Sequence, residues 1–265
     1  MSPSAAARTQ PSPAPADPAP PAPGFSSVGT VTNAATVHGV HGAAGRTHWK
    51  CFAGRRQLAS PTEAVEWASI PPGGTSGEHR HTRTEEIYLV LRGHGVFLFN
   101  GLPHPVSPGS LALTASGNAH GLRNTSDTDL DWWVIETLAP NTGAVLSGAD
   151  RTPEVPAMSE IAIHDLFEER TVSTEGVFDG PLKSIDITDL PAGGQCELGR
   201  DDAELAVFVH SGRGLATAAD GTAAELAADT CVTLGAGTTT TVEAHSALRL
   251  LIVTLAVPGH LQETK

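Results

Sequence analysis

Cysteine is scarce in this chain of 265 residues. Cys51, Cys196 and Cys231 are widely spaced, and none belongs to a CxxC pair. That excludes a disulfide-stapled scaffold and points to the reducing cytosol. A lone cysteine is most often a small buried hydrophobe, with a reactive thiol at Cys51 as the alternative. Long apolar runs are missing as well. The longest, ALRLLIVTLAVPG, falls far short of a bilayer span and reads as a strand. The opening MSPSAAARTQPSPAPADPAPPAPG lacks the apolar stretch of a signal peptide. Basic excess is absent: the formal charge is −13, with the acids spread along the chain. Such a chain has no electrostatic footprint for nucleic acid or anionic lipid. Charged residues amount to only 17%.

Turn formers are plentiful, with 28 glycines and 20 prolines, and apolar residues make up 40% of the chain. This balance suits short strands joined by turns and a packed core in one large or two ordinary domains. Residues 1–24 are Pro/Ala/Ser-rich without hydrophobic period and read as a disordered tail. From about residue 62 short strands follow one another: AVEWASI, EEIYLVL, GVFLFN, SLALTA, AHGLRN and LDWWVIET. Between them lie the turn signals PPGG, RGHG, NGLPHPVSPG, SGN and NTSDTD, an arrangement typical of an all-β barrel or sandwich. Residues 160–167, EIAIHDLF, fit either a short helix or another strand.

The pattern then returns. LVLRGHG aligns with FVHSGRG, and VSPGSLALTASGN aligns with LAADTCVTLGAGT. An internal duplication implies two similar β-barrels, with the boundary in APNTGAVLSGADRTPEVP. The expected division is a tail (1–24), a first barrel (25–145) and a second (146–265).

Chemistry gathers in the first half, in GGTSGEHRHTRTEEIYLVLRG. Residues two apart on an extended segment share a face, so His79 and His81 point one way. On the following strand Glu86, Tyr88 and Val90 share one face, and Ile87, Leu89 and Leu91 the other. An antiparallel strand pairing near Glu86 can bring His120 to the same point. Three imidazoles and a carboxylate make a mixed N/O donor set, suited to Fe, Mn, Ni, Co, Cu or Zn, with coordination positions left open.

These residues resemble the cupin superfamily. Its first motif, G(x)5HxH(x)3–4E(x)6G, is matched by Gly73, His79, His81, Glu86 and Gly93. Its second, G(x)5PxG(x)2H(x)3N, is matched by Gly109, Gly117, His120 and Asn124, with Ala115 in place of the proline. The resemblance implies two jelly-roll barrels in tandem. In the first, His79, His81, Glu86 and His120 would hold one divalent transition metal, iron being the first choice. In the second half no HxH survives, and Thr240 stands where the second-motif histidine belongs.

Other residues have two readings. Tyr88, the one tyrosine, would serve as acid, base or hydrogen-bond donor, although a core tyrosine with a satisfied hydroxyl is commoner. Alternation lets only one of Trp132 and Trp133 face the barrel; Trp132 is assigned to a substrate pocket, and the other indole to contact with the second barrel. Phe97 and Phe99 share a face and are assigned to the same pocket, with plain core as the alternative. Arg83, Arg92 and Arg123 read first as solvated surface, one of them as a guide for an anionic substrate. His94 and His104 read as surface, and His38, His41 and His48 cluster as a candidate second metal site, although their spacing matches no trusted ligand pattern. The apolar face of Ile87, Leu89 and Leu91 needs cover from the second barrel, an N-terminal strand or another subunit. A homodimer is compatible with this but not demanded.

The expected function is therefore that of a metal-dependent enzyme on a small chelating keto, enol or hydroxy substrate. A non-haem dioxygenase, with Glu86 able to act as base, stands beside a redox-silent isomerase, polyketide cyclase or lyase. A non-catalytic small-molecule binder is the third reading. The Ala/Gly/Arg-heavy usage fits a bacterium of high GC content and a role in specialised metabolism.

Overall fold

Alternating inward and outward residues, cut by glycine turns, build the architecture throughout. The computed structural model describes residues 24–146, 148 and 157–258, and the tail expected over 1–24 lies almost wholly outside them. The strands of the first half are β1 (Ser27–Thr30), β2 (Ala35–His38), β3 (Arg46–Gly54), β4 (Thr62–Ile70), β5 (Thr75–Arg80), β6 (Thr84–Arg92), β7 (Gly95–Phe99), β8 (Leu102–Val106), β9 (Ser110–Thr114), β10 (Ala119–Asn124) and β11 (Leu130–Leu138). Those of the second are β12 (Ala162–Asp165), β13 (Thr171–Ser173), β14 (Leu182–Leu190), β15 (Gln195–Leu198), β16 (Ala203–Ser211), β17 (Arg213–Ala218), β18 (Ala223–Ala227), β19 (Thr230–Leu234), β20 (Thr240–Ala244) and β21 (Leu248–Ala256). EIAIHDLF is both of the things its pattern allowed: β12 runs straight into a helical turn, Leu166–Glu169, whose N-terminal amides are capped by Asp165.

Each half forms a large and a small sheet. The first pairs β12-β9-β6-β11-β4-β3-β2 with β5-β10-β7-β8. The second pairs β1-β19-β16-β21-β14-β13 with β15-β20-β17-β18. One feature crosses the linear division at 145/146. Strand β1 adds to the edge of the second half's sheet, Ser27 opposite Thr233, and β12 adds to the first half's, Ala162 opposite Leu113. Each half thus lends its first strand to the other.

The two large sheets pack face to face. Ile87, Leu89, Leu91 and Trp133 meet Ala206, Phe208, Leu251 and Val253 in one buried cluster, with the Trp133 and Phe208 rings 5.5 Å apart. The second barrel therefore covers the apolar face of β6, and no further subunit is needed for that purpose. Burial of each such side chain contributes about 1.5–3 kcal/mol. Cys231 is buried in the same cluster and Cys51 is half-buried; both thiols are free and pushed up by burial. A separate core, built on Ile70, Tyr88, Val90, Phe97, Leu122 and Trp132, fills the first barrel.

Candidate metal centre

Three strands deliver four donors to one point. His79 lies near the end of β5 and His81 just beyond it, Glu86 is on β6, and His120 is on β10, directly opposite His79. One donor atom from each lies within 4.8 Å of every other. The three imidazole centroids form a nearly equilateral triangle of 4.8, 4.7 and 4.8 Å. Glu86 Oε2 sits 2.9 Å from His120 Nε2 and 3.2 Å from His81 Nε2.

The hydrogen bonds behind the rings fix which nitrogens face inward. His79 Nδ1 donates to the Gly77 carbonyl at 3.1 Å, which leaves its Nε2 unprotonated in the neutral ring. Nδ1 of His81 pairs with Thr84 Oγ1 at 2.8 Å, and Nδ1 of His120 with Thr114 Oγ1 at 2.7 Å. Inward-facing lone pairs then crowd together: the Nε2 atoms of His79 and His81 are 3.1 Å apart. Glu86 Oε2 and His120 Nε2 are buried without a hydrogen-bond partner. A cation at the centre satisfies all four donors at once, so the residues fit a divalent metal of borderline softness.

The charge balance agrees. Burial drives His120 down to about 4, and it lowers His79 too, so both rings are neutral donors at ordinary pH. Burial opposes the charge on Glu86, but His120 and His81 beside it bring its carboxyl well below the usual range. Burial also opposes protonation of His81, and the Glu86 carboxylate outweighs it, raising that ring.

The centre opens into a cavity of about 480 Å³. Tyr88 and Trp132 line it, as do Trp49, Arg80 and Arg83. Burial and the Glu86 charge push the Tyr88 hydroxyl well above its ordinary value, so it serves as a hydrogen-bonding group rather than a source of phenolate. Phe97 and Phe99 correct an expectation. They face the barrel as alternation requires, but they are 1% and 3% exposed and pack below the centre, Phe97 edge-on to His120 at 5.3 Å. They support a ligand ring and are not walls of the pocket. Arg92 pairs with Asp131 and with Asp229 of the second half, and Arg123 and His94 are exposed.

The sequence reading did not place three further cavity residues at this site. Glu66 on β4 and Glu136 on β11 face inward beside the donors. Burial and the Glu86 charge raise both, Glu66 to about 7. His41 belongs to a 3-10 turn, Val40–Gly42, that caps the site. Its ring stacks on His79 at 3.5 Å and 9°, whereas His38 is exposed and His48 bonds Thr36. The turn lies so close to β5 that a Cβ on Gly77 would meet the His41 carbonyl at 2.2 Å.

Residues 66–136 match the family described as cupin domain. This segment is a cupin domain. Over 66 residues, 25% of the chain, the sequence is 41% identical to an oxalate-binding protein of Thermotoga maritima, and it spans 54% of that relative's length. The fold is similar to that of protein Ylba from E. coli, at 11% identity and a TM-score of 0.67, over 90% of this chain and 92% of that one. It is also similar to salicylate 1,2-dioxygenase from Pseudoaminobacter salicylatoxidans with gentisate, at 16% identity and a TM-score of 0.59, over 78% and 72%.

The second barrel repeats the cupin scaffold without its donors. Strand register places Thr240 opposite Leu198 and Ala218, as His120 lies opposite His79 and Phe99. Leu205 lies opposite Leu234 as Glu86 lies opposite Thr114. The Arg200 carbonyl accepts from Gly237 as that of His81 accepts from Gly117. Leu198, Arg200, Leu205 and Thr240 therefore stand where the four donors stand in the first half, and Leu198 and Leu205 belong to an apolar core. Thr240→His is expected to leave metal stoichiometry unchanged, because one imidazole among leucines offers no second ligand; elemental analysis of the variant checks this.

Proposed function

We propose that the cupin domain is a metal-dependent enzyme acting on a small substrate with adjacent carbonyl and hydroxyl or enol groups, by incorporation of dioxygen. The observation that carries this reading is the donor cluster, whose unpartnered Glu86 and His120 atoms converge beside a cavity. A bound metal would supply Lewis acidity and, if redox-active, access to O2. The protein's own part is positional. Thr84, Thr114 and the Gly77 carbonyl hold the three rings in orientation, and Trp132, Tyr88 and Trp49 limit the entry of water. Glu86, buried and shared by two imidazoles, serves as ligand first and as base only on release from them.

Redox-silent isomerase, cyclase or lyase chemistry is the second reading, and Glu66 favours it. A cavity carboxyl raised to about 7 can accept and return a proton near neutral pH. A binding role without catalysis is consistent with the oxalate-binding relative. Metal content of the untagged protein, followed by O2-uptake screens with chelating substrates, separates these. About one iron or copper per chain with substrate-dependent O2 uptake supports the oxygenase. Zinc without O2 uptake supports the redox-silent enzyme. No metal after reconstitution leaves the binder.

A further inference from the structure

The cavity has a second chemical feature beyond its metal donors, a row of carboxylates. Strands β6, β11 and β4 are neighbours in one sheet, and Glu86 lies directly opposite Glu136. On β4, Glu66 pairs with Val134, two residues from Glu136, so Glu66 and Glu136 are diagonal neighbours on the same inward face. Glu136 Oε1 is 3.8 Å from His81 Nδ1. Neither Glu66 nor Glu136 is paired with an arginine or lysine among the described residues. The two cations that line the cavity, Arg80 and Arg83, are both exposed, and the Arg80 guanidinium is turned away to the Gly117 carbonyl at 2.6 Å. Exposed charges are screened by water, whereas charges on the half-buried inner wall are screened less and act more strongly on an occupant.

We propose that Glu66 and Glu136 are the specificity-determining residues of this cavity. They select a ligand that presents hydroxyl or amino donors, neutral or cationic, and they reject dicarboxylates. This rests on the reading that the four donors hold a metal, and it narrows the class of chelating substrate. One end of the ligand meets the metal, and its remaining donors bond the two carboxylates. A dianion placed there faces both carboxylates, and the two arginines that could offset them are exposed, one of them turned to a backbone carbonyl.

Oxalate and oxamate test this. They are nearly isosteric, but oxamate replaces one carboxylate by an amide with two N–H donors. The full chain is loaded with cobalt(II), and each probe is titrated at pH 8 through the visible cobalt absorption. Glu66→Gln and Glu136→Gln are each expected to tighten oxalate about tenfold, as removal of one charge near a dianion in a partly hydrated cavity predicts. Oxamate affinity stays level or falls, because a hydrogen-bond acceptor is lost. Unchanged oxalate affinity in both variants overturns the proposal, and so does an equal gain for both probes. Failure of the wild-type chain to take up cobalt overturns the metal reading itself. That outcome is visible before any probe is added.

Discussion

His120→Ala is expected to lower metal affinity by at least about tenfold while leaving the barrel folded. The ring supplies one of four donors, and loss even of a group that orients a metal ligand typically costs ten- to a hundredfold. The effect is specific because His120 is fully buried and touches the centre from its own strand, with Tyr88 and Phe97 at 4.5 and 5.3 Å. Folding has less to lose. In the metal-free protein His120 Nε2 is an unpartnered buried atom beside an unpartnered carboxylate oxygen, so truncation removes an unfavourable group along with packing. Equilibrium dialysis with cobalt or zinc reads the affinity, and far-ultraviolet circular dichroism reads the fold. Full metal retention with an intact fold would place the ion elsewhere.

The site was largely legible because two periodicities coincide in it. HxH puts two imidazoles on one face of an extended segment, and the inward position of Glu86 follows from alternation on EEIYLVL. The same rule sorts Trp132 from Trp133: the first contacts Tyr88 inside the barrel at 5.6 Å, the second meets Phe208 of the other sheet. Period gives the face but not the depth along the barrel, and so Phe97 and Phe99 fell below the cavity. Glu136 lies on the face of Trp132, a signal present in LDWWVIET. A strand carboxylate, however, usually faces water, and only the register of β11 against β6 sets it opposite Glu86. His41 had no periodic signal. Its place depends on a left-handed turn, with Gly39, His41 and Gly42 at φ of 72, 51 and 77°, and on a close approach to Gly77. The exchanged edge strands are also illegible locally, because β1 finds its partner about 200 residues away and tertiary packing decides that pairing.

The Glu-Glu pair at 85–86 divides along the same alternation, and the counterpart of its outward member in the second half carries the second large effect. Glu85 is buried, and its two oxygens accept from the backbone N–H groups of Asp179 and Gly180 at 3.0 and 2.9 Å. A Cβ on residue 180 would crowd the Glu85 carboxylate and shift it from these bonds. The second half mirrors this. Glu204, 2% exposed, accepts from the N–H groups of Ala59 and Ser60 at 2.7 and 2.8 Å. Each barrel thus reaches a carboxylate into a loop that leads to the other barrel's sheet. Hydrogen bonds to a charged acceptor contribute about 1.5–3 kcal/mol each, and one of the two freed amides, Ser60 N, is buried. Glu204→Ala is expected to destabilise the protein by about 3–5 kcal/mol, a large share of the ~5–15 kcal/mol that holds a typical domain together. Glu204→Gln keeps one acceptor and is expected to cost about half as much. Chemical denaturation followed by tryptophan fluorescence measures both, since Trp133 reports on the interface between the sheets. Metal content at low denaturant is the control: Glu204 is remote in sequence and barrel from the donors, so its loss should weaken the fold and leave metal stoichiometry unchanged. A drop below 1 kcal/mol for Glu204→Ala would mean that the apolar contact between the large sheets holds the two barrels together without these bonds.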